Sequence, residues 1–168
     1  MVGGPPQGRA SGSGRASGSG FVAHSRPGGD HTARVFDERP DIQARLDDEI
    51  VVWMTTVNAS GQPQTSPVWF LVQGESIVVY SLGQTPRTRN IVANPKVSLN
   101  LNSTRSGGEV VIIEGIAEIA VDGPPAHEDE EYVTKYETAM QDLGMTPESF
   151  AADYPVRIHI QPTRLRAS

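Results

Sequence analysis

The order of the strand-like segments is the feature that most constrains this fold. Three segments rich in β-branched and aromatic residues follow one another with only short turns between them, at 50–57 (IVVWMTTV), 63–73 (PQTSPVWFLVQ) and 77–81 (IVVYS). The connecting sequences NASGQ and GES contain the polar and glycine residues that tight turns need. Strands this close in sequence normally pair with each other, so we predict an antiparallel meander.

Three further strand-like segments complete the predicted sheet, at 96–103, 110–121 and 156–166. The first of them alternates strictly, with Val97, Leu99 and Leu101 on one face. Gly115 interrupts the second and indicates a bulge or a bend. The segment 50–57 is nearly all apolar, which is typical of a buried strand and places Trp53 in the core.

Helices are predicted between the strands, at 37–49, 86–93 and 124–143. The second of them begins at the N-cap and proline pair Thr85-Pro86 and ends at Asn94-Pro95. The chain has no repeating strand–helix–strand pattern and no GxGxxG sequence, which argues against a Rossmann-type sheet. We therefore expect a mainly β fold, a six-stranded antiparallel β-barrel with peripheral helices.

The first 36 residues differ from the rest of the chain in composition. They contain the near-repeat GRASGSGRASGSG, which is built from glycine, serine, alanine and arginine. Such a segment cannot bury enough apolar surface to offset the entropy lost on ordering. We expect residues 1–36 to form a disordered Gly/Ser-rich tail and residues 37–168 to form the folded domain.

Charge, cysteine content and histidine spacing argue against several classes of protein. The net charge of -6 argues against general binding of nucleic acid or of an anionic membrane. No apolar run approaches the roughly 18 residues of a membrane helix, and the chain has no cysteine, so we expect a cytoplasmic protein. The four histidines lack metal-ligand spacing, so we expect no metal site, and without a nucleophile motif any catalysis would depend on a bound cofactor.

The segment 81–101 (SLGQTPRTRNIVANPKVSLNL) is the strongest candidate for a binding site. The first amides of its helix are unpaired and lie at the positive end of the helix dipole. Arg87 and Arg89 flank that end, and Thr85 and Thr88 add hydroxyl groups. Such a helix start is suited to an anion, and each charge-assisted hydrogen bond to a phosphate contributes about 1.5–3 kcal/mol. The alternative is that two exposed arginines merely solvate the helix.

A proline inside the second predicted strand is a further irregular feature. Pro67 cannot donate to a strand ladder, so the strand is irregular there or lies at a sheet edge. The small side chains of Thr65 and Ser66 leave the neighbouring backbone open to a flat ring. A phosphate site beside an open backbone shelf suits a flavin-like cofactor, whereas the alternative is an ordinary edge strand.

The same stretches resemble those of a known superfamily. The sequence from GQPQTSPVWF to PRTRNIVANPKVSLNL (61–101), followed by EGIAEI and the closing RIHIQPTRLR, is similar to the pyridoxamine-5′-phosphate-oxidase-like (PNPOx-like) split β-barrel proteins. Within that superfamily the chain most resembles the actinobacterial flavin/deazaflavin oxidoreductases, the branch of F420-dependent enzymes. The resemblance covers about residues 40–166 and implies the split-barrel, FMN-binding fold.

The resemblance also implies a partner and a set of site residues. It implies a homodimer with two cofactor sites at the subunit interface, with the cofactor phosphate on the Arg-x-Arg-Asn turn. It further implies that the cofactor ring lies along the second strand and that the third strand ends near the phosphate. The residues that it assigns to the cofactor are Thr65, Ser66, Pro67, Val68, Trp69, Tyr80, Ser81, Arg87, Thr88, Arg89 and Asn90.

The activity that the resemblance implies is that of a reductase using coenzyme F420. Such a reductase transfers hydride between the deazaflavin C5 and an unsaturated or conjugated small-molecule acceptor. Two alternatives stay open at this point: an FMN-dependent oxidoreductase, and a non-catalytic protein that binds a flavin, a deazaflavin or haem. No residue in the sequence stands out as a general acid, so the catalytic residues are left unassigned.

Overall fold

The structure is a computed structural model that describes residue 36 and residues 39–168. In chain order its helices and strands are α1 (Pro40–Asp48), β1 (Val51–Val57), β2 (Pro63–Trp69), β3 (Leu71–Gln73), β4 (Ser76–Ser81), α2 (Pro86–Ala93), β5 (Lys96–Asn100), β6 (Val111–Ile119), α3 (Glu130–Asp142), α4 (Pro147–Asp153) and β7 (Val156–Ala167). The tail predicted at residues 1–36 lies outside the described residues except for Phe36, whose side chain is buried in the core. Among the described residues, no helix has the length and apolar character needed to cross a membrane.

The strands form one antiparallel sheet in the order β2-β1-β5-β6-β7-β4-β3. β2 and β3 are therefore the outermost strands, yet only Phe70 separates them in sequence. Because one residue has to connect the two ends of the sheet, the sheet must curl until its ends meet. The mainly β, barrel-like fold with helices at its periphery confirms the predicted fold class.

The predicted second strand, 63–73, is two strands in the structure, so the described sheet has seven strands and not six. β2 pairs with β1 and β3 pairs with β4, so both antiparallel pairings of the predicted meander are confirmed, but two strands and not one make them. The change of partner occurs at Phe70, whose N–H donates to the Tyr136 hydroxyl oxygen at 2.7 Å. The same hydroxyl donates its one proton to two carbonyl oxygens that share it, Phe70 O at 2.6 Å and Ile50 O at 2.9 Å. A side chain of α3 thus pairs the backbone groups at the corner, where the strand ladder is interrupted.

Gly115 marks an irregularity in the longest strand pair of the sheet. The register of β6 against β7 shifts between Glu114 and Gly115, which confirms the predicted bulge. A Cβ atom at position 115 would lie 2.9 Å from Gln161 O and 2.9 Å from Ile160 Cγ2. Real Cβ atoms do not approach other atoms so closely, so the bulge requires a residue without a side chain.

The main hydrophobic core fills the inside of the curled sheet. Met54 of β1 and Ile158 of β7 both belong to this core and are each no more than 1% exposed. Val97, Leu99 and Leu101 are all buried, which confirms the alternation predicted for the strand β5 and the residue after it. Each fully buried side chain of this size stabilises the fold by about 1.5–3 kcal/mol before the entropy of ordering is subtracted.

Trp53 lies on the outer face of the sheet, so its predicted place in the core is wrong. The buried residues of β1 are Val52, Met54 and Thr56, and Trp53 points to the opposite face, where it is 38% exposed. Its indole N–H donates to Asn102 Oδ1 at 2.8 Å. A run of apolar residues has no alternation, so the sequence could not show which face of this strand is inward.

A second hydrophobic cluster lies where α3 and α4 pack against β3 and β4. The helix predicted at 124–143 begins later, at Glu130, because Asp129 caps it and accepts a hydrogen bond from the Tyr132 N–H at 3.2 Å. A short 3-10 turn, Ala126–Glu128, occupies the earlier part of the predicted helix. Gly144 follows the helix with φ of 71°, as expected for a glycine that ends a helix.

Candidate cofactor site

Helix α2 begins where the sequence predicted, and a capping box holds its first turn. Thr85 is the N-cap, and Asn94 follows the last turn. The Thr85 hydroxyl oxygen accepts from the Thr88 N–H at 3.3 Å, and the Thr88 hydroxyl oxygen accepts from the Thr85 N–H at 3.2 Å. These reciprocal bonds fix the direction of the helix start and therefore the position from which Arg87 extends.

Arg87 reaches from this turn to two different strands. Its Nη2 donates to Ser66 Oγ of β2 at 2.6 Å, and its Nη1 donates to Ser81 Oγ at the end of β4 at 3.0 Å. The structure thus brings together three of the residues assigned to the cofactor, from three separate elements. Both serine hydroxyls are oriented by the same guanidinium group.

The charge of Arg87 is not neutralised within the described residues, where it takes part in no ion pair. Its Nε is buried and has no hydrogen-bond partner there. Burial lowers the pKa of the guanidinium because the charged form loses solvation, although an arginine keeps its charge at any physiological pH. A partly buried cationic group without a counter-ion is costly, and an anion near the guanidinium would lower that cost.

A cavity of about 400 Å³ opens beside Arg87. This volume lies within the range of about 300–1,000 Å³ that is typical of small-molecule sites. The residues that line it are Val51, Pro67, Val68, Trp69, Tyr80, Leu82, Thr85, Arg87, Leu143, Phe150 and Tyr154. The lining is therefore mostly apolar, with one charged group at Arg87.

Three rings of this lining form what we call the aromatic wall, namely Trp69, Phe150 and Tyr154. The ring centroids of Trp69 and Phe150 are 5.3 Å apart at an interplanar angle of 11°, and those of Phe150 and Tyr154 are 4.5 Å apart at 16°. Trp69 also stacks on the buried Tyr136 at 4.7 Å and 4°. Tyr136 is held in turn by its bonds at the Phe70 corner, so the wall is anchored to the barrel.

Tyr80 contributes its ring to the cavity, but its hydroxyl is engaged elsewhere. The hydroxyl donates to Pro124 O at 2.8 Å and lies 3.2 Å from Asp129 Oδ2. Burial, together with the negative charge of Asp129, raises the pKa of Tyr80 to about 12. Tyr80 is therefore neutral at physiological pH, and its proton is already bonded within the protein.

Thr88 and Asn90 are buried beneath the helix and do not line the cavity. Thr88 uses its hydroxyl in the capping box. The Asn90 side chain donates to Thr56 Oγ1 at 3.0 Å and to Gln64 Oε1 at 2.8 Å. In this structure Asn90 attaches α2 to β1 and β2, whereas Thr88 holds the first turn of the helix.

Thr65 and Arg89 are exposed and also lie outside the cavity lining. The Thr65 hydroxyl lies 2.7 Å from the Thr55 hydroxyl on the neighbouring strand. Arg89 makes one long hydrogen bond, from Nη1 to Gln84 O at 3.5 Å. The two arginines of the turn therefore have different surroundings, since Arg87 is enclosed and Arg89 faces solvent.

The part of the cavity that α4 and the residue after it provide was not predicted from the sequence. Phe150 belongs to α4 and Tyr154 follows it, and this helix was not predicted, although Thr146 and Pro147 repeat the N-cap and proline pair used to predict α2. Leu143, which the pattern of α3 would bury, is 65% exposed at the cavity mouth.

The residues present fit a phosphorylated cofactor with a flat ring. The Arg87 guanidinium, with its unpartnered Nε, matches the charge and hydrogen-bonding capacity of a phosphate. Pro67, Val68 and Trp69 give the cavity an apolar side against which a ring can lie. β2 is an outermost strand of the sheet, which confirms the edge position that Pro67 indicated.

The chain also matches a known protein family. The family model described as pyridoxamine 5′-phosphate oxidase matches residues 38–167. A comparison with curated proteins found no match.

Several solved structures share the fold. A putative pyridoxamine 5′-phosphate oxidase from Listeria innocua is 23% identical with a TM-score of 0.56, and the match covers 76% of this chain and 95% of that one. A structure described as an F420 reductase is 23% identical with a TM-score of 0.56, and the match covers 74% of this chain and 94% of that one. The haem storage protein HutZ from Vibrio cholerae is 17% identical with a TM-score of 0.56, and the match covers 77% of this chain and 93% of that one. These similarities show the fold, and the family match extends over most of the sequence. The chain therefore belongs to the pyridoxamine 5′-phosphate oxidase family, within a superfamily of flavin-binding split β-barrels.

Proposed function

We propose that this protein is an oxidoreductase that uses coenzyme F420 and reduces an unsaturated or conjugated small-molecule acceptor. The observation that carries the proposal is the enclosed guanidinium of Arg87, which borders an apolar cavity and has no counter-ion in the described residues. The F420 reductase among the structural neighbours supports this choice of cofactor.

The deazaflavin, when bound, supplies a hydride at C5. The residues of this chain would bind and orient it: Arg87, with Ser66 and Ser81, would hold the phosphate, and Arg89 at the same helix start would add a second positive charge. Pro67, Val68 and Trp69 would lie along the ring. The apolar lining would limit the access of water to the acceptor and hold the two reactants close together.

The source of the proton is best assigned to solvent. The cavity lining in the described residues contains no carboxyl group and no histidine. Tyr80 is a poor acid because its pKa is raised to about 12 and its proton is bonded to Pro124 O. The chain therefore contributes to the reaction by binding and orienting, and water at the cavity mouth near Leu143 would supply the proton.

An FMN-dependent oxidoreductase is the second candidate, because FMN also joins a phosphate to a flat ring and would use the same groups. A haem carrier is less well supported. Haem needs an axial ligand, and the described residues that line the cavity include no histidine, methionine or cysteine and only the tyrosines Tyr80 and Tyr154. A flavin or deazaflavin carrier would bind the cofactor without turnover.

Tryptophan fluorescence tests the proposal, because the two tryptophans have different surroundings. Trp69 lines the cavity and Trp53 lies on the outer face of the sheet. Titration with coenzyme F420 or with FMN should quench the fluorescence of a Trp53→Phe variant, whereas a Trp69→Phe variant should give a much smaller change. Oxidation of the reduced cofactor that depends on an added acceptor then separates an enzyme from a carrier. Absence of a response to either cofactor in Trp53→Phe would contradict the proposal.

We also propose that the protein is a homodimer that forms through the outer face of the sheet. Trp53 of β1 and Ile116 of β6 both point outward from the barrel and are 38% and 41% exposed. Light scattering should give a mass of about twice 18.1 kDa, and Trp53→Glu should give a monomer. Val121→Glu, at a residue that is already 84% exposed, is the matched control and should stay dimeric. A monomeric parent protein, or a dimeric Trp53→Glu variant, would contradict this interface.

A further inference from the structure

Three polar side chains contact one another in series on the outer face of the sheet. Ser76 Oγ lies 2.8 Å from His159 Nε2, and His159 Nδ1 lies 3.4 Å from Glu118 Oε1. None of the three residues lines the cavity beside Arg87. A hydroxyl, an imidazole and a carboxylate joined in this order are the groups of a nucleophile, its base and the residue that orients the base.

The strand ladders bring these residues together from β4, β7 and β6. Glu118 is directly opposite His159 in the β6–β7 pair, and Ile77 is opposite Ile160 in the β4–β7 pair, so Ser76 lies diagonally across from His159. Both isoleucines belong to the core, so their neighbours point to the outer face, where cross-strand side chains are close enough to interact. The serine and the histidine are 83 positions apart, which explains why the sequence contains no nucleophile motif.

Glu118 favours the tautomer of His159 that can accept a proton from the serine. A carboxylate beside Nδ1 stabilises the imidazole with its proton on Nδ1, which leaves Nε2 as the acceptor for the Ser76 hydroxyl. The side chains of His159 and Glu118 are 29% and 72% exposed, so a reactant reaches them from solvent. Ser76 and His159 lie beyond β6 from β1, which carries Trp53.

An amide donor lies next to the serine. Gln161 Nε2 donates to Glu75 O, the carbonyl oxygen just before Ser76, at 3.4 Å. A primary amide has two N–H groups, so Gln161 can also donate to the oxygen of an acyl group at Ser76. Such a donor stabilises the negative charge that develops on that oxygen when a nucleophile attacks.

We propose that Ser76, His159, Glu118 and Gln161, together called the Ser76 site, hydrolyse small activated esters in a reaction separate from that of the cavity. Ser76 Oγ forms a bond to the ester carbonyl carbon and gives its proton to His159 Nε2. The ester C–O bond breaks, and His159 returns the proton to the oxygen of the departing alcohol. Water then attacks the acyl carbon, which releases the carboxylic acid and restores the serine. Because the site is open to solvent, it suits small esters with a good leaving group.

Two reagents test this inference on the full-length protein. Release of p-nitrophenolate from p-nitrophenyl acetate measures hydrolysis, after subtraction of the rate without protein. Diisopropyl fluorophosphate reacts irreversibly with activated serines, and peptide mass spectrometry then identifies the nucleophile. We expect hydrolysis by the parent protein and a single label at Ser76. Ser76→Ala should lose the label and lower the hydrolysis rate by at least about 100-fold.

The histidine variants test whether His159 is the base. His159→Gln keeps a hydrogen-bonding side chain but cannot take up the proton, so hydrolysis and labelling should both slow by about 100-fold or more. His127→Gln is the matched control, because His127 Nε2 lies 3.7 Å from Glu128 Oε1 but bonds to no serine in the described part of the chain. This control variant should keep the parent rates.

Glu118 acts through His159 and is therefore a positioning residue. Glu118→Gln should slow the labelling of Ser76 by about two- to fivefold, the effect of losing an exposed charge pair. Glu118→Asp keeps the carboxylate and should slow the labelling less. A purely structural role of Glu118 would change the stability of the protein without changing the reactivity of the serine.

The inference is wrong if diisopropyl fluorophosphate labels no residue or a residue other than Ser76. It is also wrong if Ser76→Ala hydrolyses the ester as fast as the parent protein, or if His127→Gln loses as much activity as His159→Gln. Circular dichroism should show that the variants are folded, and they should bind coenzyme F420 or FMN as the parent does. If the parent bound neither cofactor, the proposed function would fail and the test of the Ser76 site would be unaffected.

Discussion

Replacing Arg87 with alanine should weaken cofactor binding by about 10- to 100-fold, which is the effect of losing one or more charge-assisted hydrogen bonds to a phosphate. The expectation follows from the surroundings of this side chain. It is enclosed, has no counter-ion in the described residues, and directs the hydroxyls of Ser66 and Ser81. Calorimetric titration with coenzyme F420 and with FMN measures the change.

Arg89→Ala is the matched control because it removes the same charge from the same helix turn. Arg89 faces solvent and makes only a long bond to Gln84 O, so its removal should weaken binding less than the removal of Arg87. Arg87→Ala should not unfold the protein, since it removes a partly buried charge that no carboxylate pairs. If both variants bound the cofactor as the parent does, the phosphate would not lie at this helix start.

Replacing Tyr136 with phenylalanine should lower the free energy of unfolding by about 1–3 kcal/mol. The substitution keeps the ring and its stacking on Trp69 and removes only the hydroxyl. That hydroxyl accepts from the Phe70 N–H, and without it this buried donor has no partner. Denaturant unfolding of the purified protein, followed by circular dichroism, measures the difference.

Tyr132→Phe is a sharp control for this prediction. Tyr132 lies one turn earlier on α3 and is also fully buried, but its hydroxyl has no hydrogen-bond partner in the described residues. Removing that hydroxyl should leave stability unchanged or raise it. Equal destabilisation by the two substitutions would show that the hydrogen bonds of the Tyr136 hydroxyl to Phe70 and Ile50 do not stabilise the fold.

Much of the fold follows from local patterns in the sequence. The capping residues of α2, the alternation in β5 and the glycine at the β6 bulge all act within a few residues, and each was predicted correctly. The helix start at Thr85 was predicted from the same kind of signal. The partial burial of Arg87 was not predicted, because how deeply a side chain is buried depends on strands that are distant in sequence.

The break between β2 and β3 could not be predicted in this way. The group that pairs the backbone at Phe70 is a hydroxyl that lies 66 positions further along the chain. Nothing between Trp69 and Leu71 looks like a turn, so the segment reads as one strand. The predicted site was incomplete for a related reason, since Phe150 of α4 and Tyr154, the residue after it, reach the site only through tertiary packing.

The single-residue connection at Phe70 also restricts how the length of this chain can change. Side chains alternate between the two faces of a strand, so one inserted or deleted residue at the connection would reverse the inward and outward positions of either β2 or β3. A reversal in β2 would move Val68 out of the core, and a reversal in β3 would do the same to Leu71 in its cluster. Loops such as the one between β5 and β6 are free of this constraint. Insertions that diversify such a barrel are therefore expected in its loops and not at the residue that closes it.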